Sequence, residues 1–426
     1  MRASSPERRR TFQPGTAGFT ITISMATALT ALAIDTVLPA FPDIRSAMDL
    51  PADSTQVATL VTIFLLGQGL GVLPAGLLAD RFGRRPVLWG GLAIYIVGAI
   101  ASAFAPTIEL MILARLLWGV GAAGPRVATM AMIRDAYEGS EMAKQMSMIM
   151  AVFLVVPTIA PAIGTALLAV GSWQSVYLIC AVAAVAVLLA SMRLPATMPV
   201  DERRGVSMRD VGHSIWTVLS TPGSLGYLTA LTALFASFIA YLGSSEIIID
   251  EIFGLSDWFA LIFGGVAVVM AGGMLLNGRI VELLGLGSTL RGTLIALLVT
   301  NVVTIAMAVM TGGQPSLLVY LLTLTPLIVL QQMLGPNINA AYMQPLGHVA
   351  GVGAALISMI PMVIGALLGN VINGAYDGTI TPMVIGFAVA AVVATGSIAW
   401  ARWARMRSIA AHHPDSRVAT SAVADD

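Results

Sequence analysis

Apolar runs long enough to cross a lipid bilayer recur from one end of this 426-residue chain to the other, and no other feature restricts its fold so tightly. A helix rises 1.5 Å per residue, so roughly 20 residues cover the ~30 Å hydrocarbon core with every backbone hydrogen bond satisfied internally. Twelve such runs lie near 16–38, 55–78, 87–104, 108–133, 144–170, 174–192, 222–245, 257–278, 290–311, 316–340, 351–374 and 381–402. Hydrophobic residues make up 57% of the chain and charged residues only 10%. The reading is an all-α membrane protein with twelve transmembrane helices. Twenty-two basic and 22 acidic residues cancel, so no net charge draws the chain to nucleic acid. Cys180 is the only cysteine, which excludes an intramolecular disulfide, and the four histidines have no metal-ligand spacing. No metal or cofactor is expected. No Gly-rich loop ends in Gly-Lys-Ser/Thr, so direct coupling to ATP is not expected either.

The charges between the runs set an orientation. With the N-terminus inside, Arg2, Arg8, Arg9, Arg10, Arg81, Arg84, Arg85, Arg134, Lys144, Arg193, Arg203, Arg204, Arg209, Arg279, Arg291, Arg402, Arg405, Arg407 and Arg417 all fall on the inner side. Arg45 alone falls outside, and Arg115 and Arg126 lie within the fourth run. Basic residues favour the cytoplasmic face, so both termini are expected there. The expected layout is a cytoplasmic tail (1–15), a six-helix half (16–192), a cytoplasmic linker (193–221), a second six-helix half (222–405) and a cytoplasmic tail (406–426). The basic start and the apolar run from Phe19 also look like a cleavable signal peptide. That run continues past the would-be cleavage site to Pro39, which favours a retained first span.

One loop stands apart: Gly76-Leu77-Leu78-Ala79-Asp80-Arg81-Phe82-Gly83-Arg84-Arg85 places an acid and three arginines between two long spans. Its glycines permit close packing and a tight turn. An acid at the foot of the second span could also dock on a helix N-terminus of the other half, near Gly351, and latch one state. The spacing recurs about 200 residues later in Gly278-Arg279-Ile280-Val281-Glu282-Leu283-Leu284-Gly285, which indicates two related halves. Forty-two glycines suit helix packing in lipid, where small residues allow close approach. Pro125, Pro157, Pro161, Pro326, Pro336 and Pro361 suggest bends beside a cavity.

Few residues inside the spans are able to carry chemistry. Asp35 is the one acid deep in a span; it either loads and releases a proton, or pairs with an arginine, or lies near enough to the surface to be hydrated. Arg115, Gly119, Ala122 and Arg126 share one helical stripe, which is expected to face a central cavity because two arginines against lipid are costly. Arg115 falls at a depth similar to Asp35, so pairing or charge coupling between them is reasonable. Arg126 could instead snorkel to the cytoplasm. Gln68, Gln331 and Asn337 either touch substrate or bond a neighbouring helix. Trp118, Phe235 and Tyr241 either line an apolar pocket or pack. Glu246, Asp250 and Glu251 read as a solvated cluster.

These motifs resemble the major facilitator superfamily, and within it the twelve-span drug:proton antiporters of the bicyclomycin/chloramphenicol-resistance type. The loop signature carries the resemblance, with Asp35-Thr36-Val37-Leu38-Pro39-Ala40-Phe41-Pro42 and with Arg115 followed by Gly119-Val120-Gly121-Ala122-Ala123. Pro157-Thr158-Ile159-Ala160-Pro161-Ala162-Ile163-Gly164 partly matches the antiporter motif of the fifth span, and Trp118 replaces the usual Gln near Arg115. The resemblance implies two pseudo-symmetric halves that rock to alternate access, a bacterial-type inner membrane location and a monomer that exchanges small molecules for protons. It implies proton coupling at Asp35 tuned by Arg115, and a non-enzymatic role. Arg126 is an added charge, which leaves open a carrier for one specific, anionic metabolite. A transport-dead sensor or a polytopic enzyme is the remote alternative.

Overall fold

The computed structural model describes residues 12–198 and 208–412. Arg2, Arg8, Arg9, Arg10, Arg203, Arg204 and Arg417 lie outside the described residues. Every regular element among those described is helical, and the chain divides into two compact units, Met1–Ser207 and Met208–Asp426.

In the first unit α1 is Ala17–Asp35, α2 Phe41–Ala47, α3 Thr59–Phe82, α4 Arg84–Ala103, α5 Ile108–Ala136, α6 Gly139–Val170 and α7 Gln174–Ser191. In the second, α8 is Met208–Ser220, α9 Ser224–Ile247, α10 Phe259–Leu284, α11 Leu286–Met310, α12 Leu317–Met343, α13 Ala350–Ile360, α14 Ala366–Gly374 and α15 Thr381–His412. Eleven helices among the described residues are long and apolar enough to span a membrane, and the apolar part of α6, Val155–Val170, is a shorter one. Each of the twelve predicted segments is thus helical.

Several boundaries differ from the sequence reading. The expected loop from Gly76 to Arg85 is helical except at Gly83, because α3 runs to Phe82 and α4 starts at Arg84. α10 and α15 run on to Leu284 and His412, the latter past the expected start of the tail at 406. The first span continues beyond 38 through a 3-10 turn, Leu38–Ala40, into α2. Arg45 is consequently no loop residue: it is buried in α2 and its Nε donates to the Ser54 carbonyl at 3.1 Å. Pro361 divides the eleventh span by a π-turn, Pro361–Gly365, because proline has no N–H for the helical ladder. The polar linker ends in a helix, α8, which packs on α9 and α13.

In the first unit α5 is the central element, packed against α3 on one flank and α4 on the other. Glycine makes this possible. A Cβ at Gly119 would lie 2.0 Å from the Phe64 carbonyl oxygen, so α3 and α5 touch backbone to backbone. The repeat seen in sequence is also a repeat of geometry. Gly83 joins α3 to α4 with φ 94° and ψ 166°, and Gly285 joins α10 to α11 with φ 76° and ψ 160°. Each N–H closes its helix on the carbonyl four residues back, Ala79 at 3.1 Å and Val281 at 2.9 Å. The positive φ disfavours any side chain there.

Candidate functional site

The first unit's candidate site is built at the end of α1. Pro39 and Pro42 have no N–H to offer the carbonyls of Asp35 and Leu38, so the helix stops at Asp35 and restarts only at α2. The last carbonyls of a helix need partners from outside its ladder. Leu32 receives the Thr36 Oγ1 hydroxyl at 2.6 Å as well as the Thr36 N–H at 3.2 Å. Ala33 receives Nη1 of Arg115, from α5, at 3.0 Å. Arg115 therefore caps α1 at the negative end of its dipole. One turn earlier the Tyr95 hydroxyl of α4 donates to the Leu29 carbonyl at 2.8 Å.

Arg115 is fully buried, and rings close around its guanidinium: Trp118 at 4.8 Å, Phe64 at 5.4 Å and Tyr177 at 5.4 Å. Desolvated cation–π contacts of this kind are worth up to about 2 kcal/mol each. Trp118 also meets Tyr95 and Phe64 edge-on, at 5.2 Å and 5.7 Å between centroids. Among the described residues, Nε and Nη2 of Arg115 and Nε1 of Trp118 find no hydrogen-bond partner.

Asp35 is 4% exposed. Among the described residues its carboxyl makes no ion pair and no hydrogen bond. The expected pairing with Arg115 is thus not formed; the arginine is occupied by the Ala33 carbonyl, two residues before the acid, and by the rings. The break beside Asp35 is closed by α6 and α7. A Cβ at Gly164 would lie 2.3 Å from the Thr36 carbonyl oxygen, and the Cys180 thiol lies 3.6 Å from the Thr36 hydroxyl. The fifth-span motif thus meets the first at this point, with Pro157 and Pro161 inside α6. The arrangement leaves a lone protonatable carboxyl at a helix break whose geometry is fixed from behind.

Other candidates fall elsewhere. The stripe from Arg115 to Ala122 is packed inside the unit rather than facing an open cavity, because Gly119 abuts α3. Arg126, one turn on, is half-buried and pairs with no carboxylate among the described residues. Trp118 is fully enclosed within the first unit, among Arg115, Phe64, Tyr95 and Tyr177. Gln68 ties α3 to α1 by donating to the Thr30 hydroxyl at 2.7 Å. Asn337 forms a reciprocal amide pair with Asn277, at 2.9 and 3.2 Å, which clamps α12 to α10. Tyr241 stacks on Phe263 at 5.7 Å and 5° between planes. Gln331 bonds the Leu234 carbonyl and accepts from Ser237. Glu246 is buried at 3% exposure, not solvated, because α9 continues through it into a π-turn.

At the Gly83 turn, Arg84 bridges Asp80 at the end of α3 and Asp135 at the end of α5, the latter at 3.0 Å. Asp80 is thus engaged within its own unit. Arg85 donates to the Met192 carbonyl at 3.1 Å and lies 4.6 Å over the Trp89 ring. Arg81 lies 5.3 Å over the Phe82 ring, and Gly76 faces open space. Sequence reasoning missed Phe64, Tyr95, Tyr177 and Asn277. Their signal was aromatic or amide side chains inside apolar spans.

Comparison with known proteins gives this geometry a context. A family model described as Major Facilitator Superfamily matches residues 23–370. The MFS-type transporter YdgK of Bacillus subtilis is 28% identical over 382 residues, 89% of this chain and 93% of that protein. The bicyclomycin resistance protein homolog of Haemophilus influenzae is 25% identical over 384 residues, 89% of this chain and 95% of that protein. The multidrug resistance protein MdtL of Escherichia coli is 28% identical over 222 residues, 52% of this chain and 55% of that protein. Among solved structures, a D-xylose-proton symporter superposes with a TM-score of 0.70 at 13% identity, over 88% of this chain and 96% of that one.

Proposed function

This chain belongs to the Major Facilitator Superfamily, and from that premise we propose that it exports small, mostly apolar drugs or metabolites in exchange for protons. The observation that carries the proposal is Asp35, a carboxyl enclosed at the break of α1 with no cation or donor bound to it among the described residues. Burying an unpaired charge costs several kcal/mol, so enclosure of this group and its protonation go together. Exposure toward one side then releases the proton, and exposure toward the other reloads it. Arg115 positions the break without neutralising the acid, so a proton can come and go without breaking an ion pair. The similarity to a bicyclomycin resistance protein homolog and to MdtL supports drugs as the exported class. The charged Gly83 turn serves as the hinge of the first unit, and Asp80 as its latch. The membrane is a bacterial inner membrane, with both termini cytoplasmic by the arginine bias.

The test is accumulation of a panel of antibiotics and dyes in pump-deficient bacteria expressing the chain, with and without an uncoupler. Lower accumulation that the uncoupler restores supports the proposal. No effect on any compound, with the protein present in the membrane, favours the second reading: a proton-coupled carrier for one anionic metabolite. Half-buried Arg126, without a carboxylate partner among the described residues, is the observation behind that reading.

A further inference from the structure

The first unit carries an apolar crevice that the proton site does not use. α3 and α4 diverge from the Gly83 turn and pack on α5 more than on each other, leaving a cavity of about 350 Å³ between them. Leu70, Pro74, Leu78 and Phe82 of α3 form one wall, and Val120 and Gly124 of α5 form the floor. On the α4 side Gly90 fills none of the space: a Cβ there would meet nothing within 4 Å. The crevice opens to the surface, with Leu70, Leu78 and Phe82 each nearly half exposed.

Length and charge specify an occupant. From Leu70 to Phe82 the wall runs about 18 Å at 1.5 Å per residue, close to the ~15 Å share of one leaflet in a ~30 Å core. No lining residue is polar, whereas a site for a small drug normally has a few convergent polar groups. Charged side chains gather at the turn end, where Arg85 is taken up by the Met192 carbonyl and the Trp89 ring. Arg84 is balanced by Asp80 and Asp135, but Arg81, stacked on the Phe82 ring, has no carboxylate partner among the described residues. In the second unit the corresponding positions are Leu283 and Leu284, so that turn has no cation at this point.

We propose that this crevice holds one acyl chain of an anionic phospholipid from the leaflet at the Gly83 turn, with Arg81 engaging the headgroup phosphate. The lipid fills the space that two diverging helices leave and holds their angle.

The test uses the full chain in detergent, titrated with dioleoyl phosphatidylglycerol, dioleoyl phosphatidylcholine or short-chain dihexanoyl phosphatidylglycerol, with bound lipids counted by native mass spectrometry. One retained phosphatidylglycerol is expected, about fivefold tighter than phosphatidylcholine, as one basic side chain near a surface contributes. Dihexanoyl phosphatidylglycerol should not be retained. Arg81→Gln should erase the headgroup preference, and Gly90→Leu should weaken both long-chain lipids at least tenfold. Gly90→Met is a second filler should Gly90→Leu fold poorly. Equal retention of phosphatidylcholine by the unaltered chain, retention of phosphatidylglycerol unchanged by Arg81→Gln or by the folded filler variant, or dimers in place of lipid adducts, overturns the proposal.

Discussion

Adding one methyl group at Gly119 is expected to destabilise the first unit, while the same change at Gly90 is expected to be neutral. The two glycines are matched in chemistry and differ in surroundings. At Gly119 the new Cβ would lie 2.0 Å from the Phe64 carbonyl oxygen and 2.9 Å from the Gln68 nitrogen. Neither backbone atom can rotate away, so α3 and α5 must part by more than an ångström to restore ordinary contact. Overpacking of this kind costs about 1–3 kcal/mol, and rigid backbone on both sides places Gly119→Ala at the upper end. With roughly 2–4 °C per kcal/mol for a unit of this size, the apparent Tm should fall by about 6–12 °C. At Gly90 a Cβ meets nothing within 4 Å, so Gly90→Ala should stay within about 2 °C of the parent. The assay is thermal unfolding of both variants in the same detergent at one heating rate, since such unfolding is often irreversible. Equal shifts for the two variants would refute close α3–α5 contact as the source of this unit's cohesion.

Three further outcomes are expected. Asn277→Ala and Asn337→Ala should each destabilise the second unit by about 1–3 kcal/mol. Their coupling in a double-mutant cycle should be near 0.6 and at most about 1.7 kcal/mol; strict additivity would remove the amide clamp. Gly83→Val forces a β-branched residue to φ 94°, at a cost of about 1–3 kcal/mol, and should slow turnover measured in cells, whereas unchanged turnover would show that the turn is not a hinge. Arg115→Lys keeps the charge but loses the planar stack on three rings, so transport should fall at least tenfold with the protein still in the membrane; full activity would show that charge alone suffices.

Much of this was legible in the sequence because lipid makes strict demands. Apolar length alone located the twelve helical segments, and the Gly-Asp-Arg-Gly spacing located a turn whose backbone recurs at Gly285. Elements that begin outside the long apolar runs were harder to see. α8 begins in a charged linker, and α2 starts at Phe41, between Pro39 and Pro42, where the apolar run ends. Arg115 could be singled out but its partners could not, because they are a backbone carbonyl and three rings scattered along the chain. Similar depth suggested an Asp35–Arg115 pair, yet depth along the membrane normal does not state which way a side chain points around its helix. The same ambiguity made Trp118 and Asn337 look like cavity candidates before their packing partners were known.

The most direct test of the central claim is proton movement in proteoliposomes containing the purified chain, read by a pH-sensitive dye when an exported compound is added. The unaltered chain should move protons with the compound, and Asp35→Asn should abolish that movement while still exchanging the compound across the membrane. Proton movement that persists in Asp35→Asn would contradict the account and place the coupling group elsewhere.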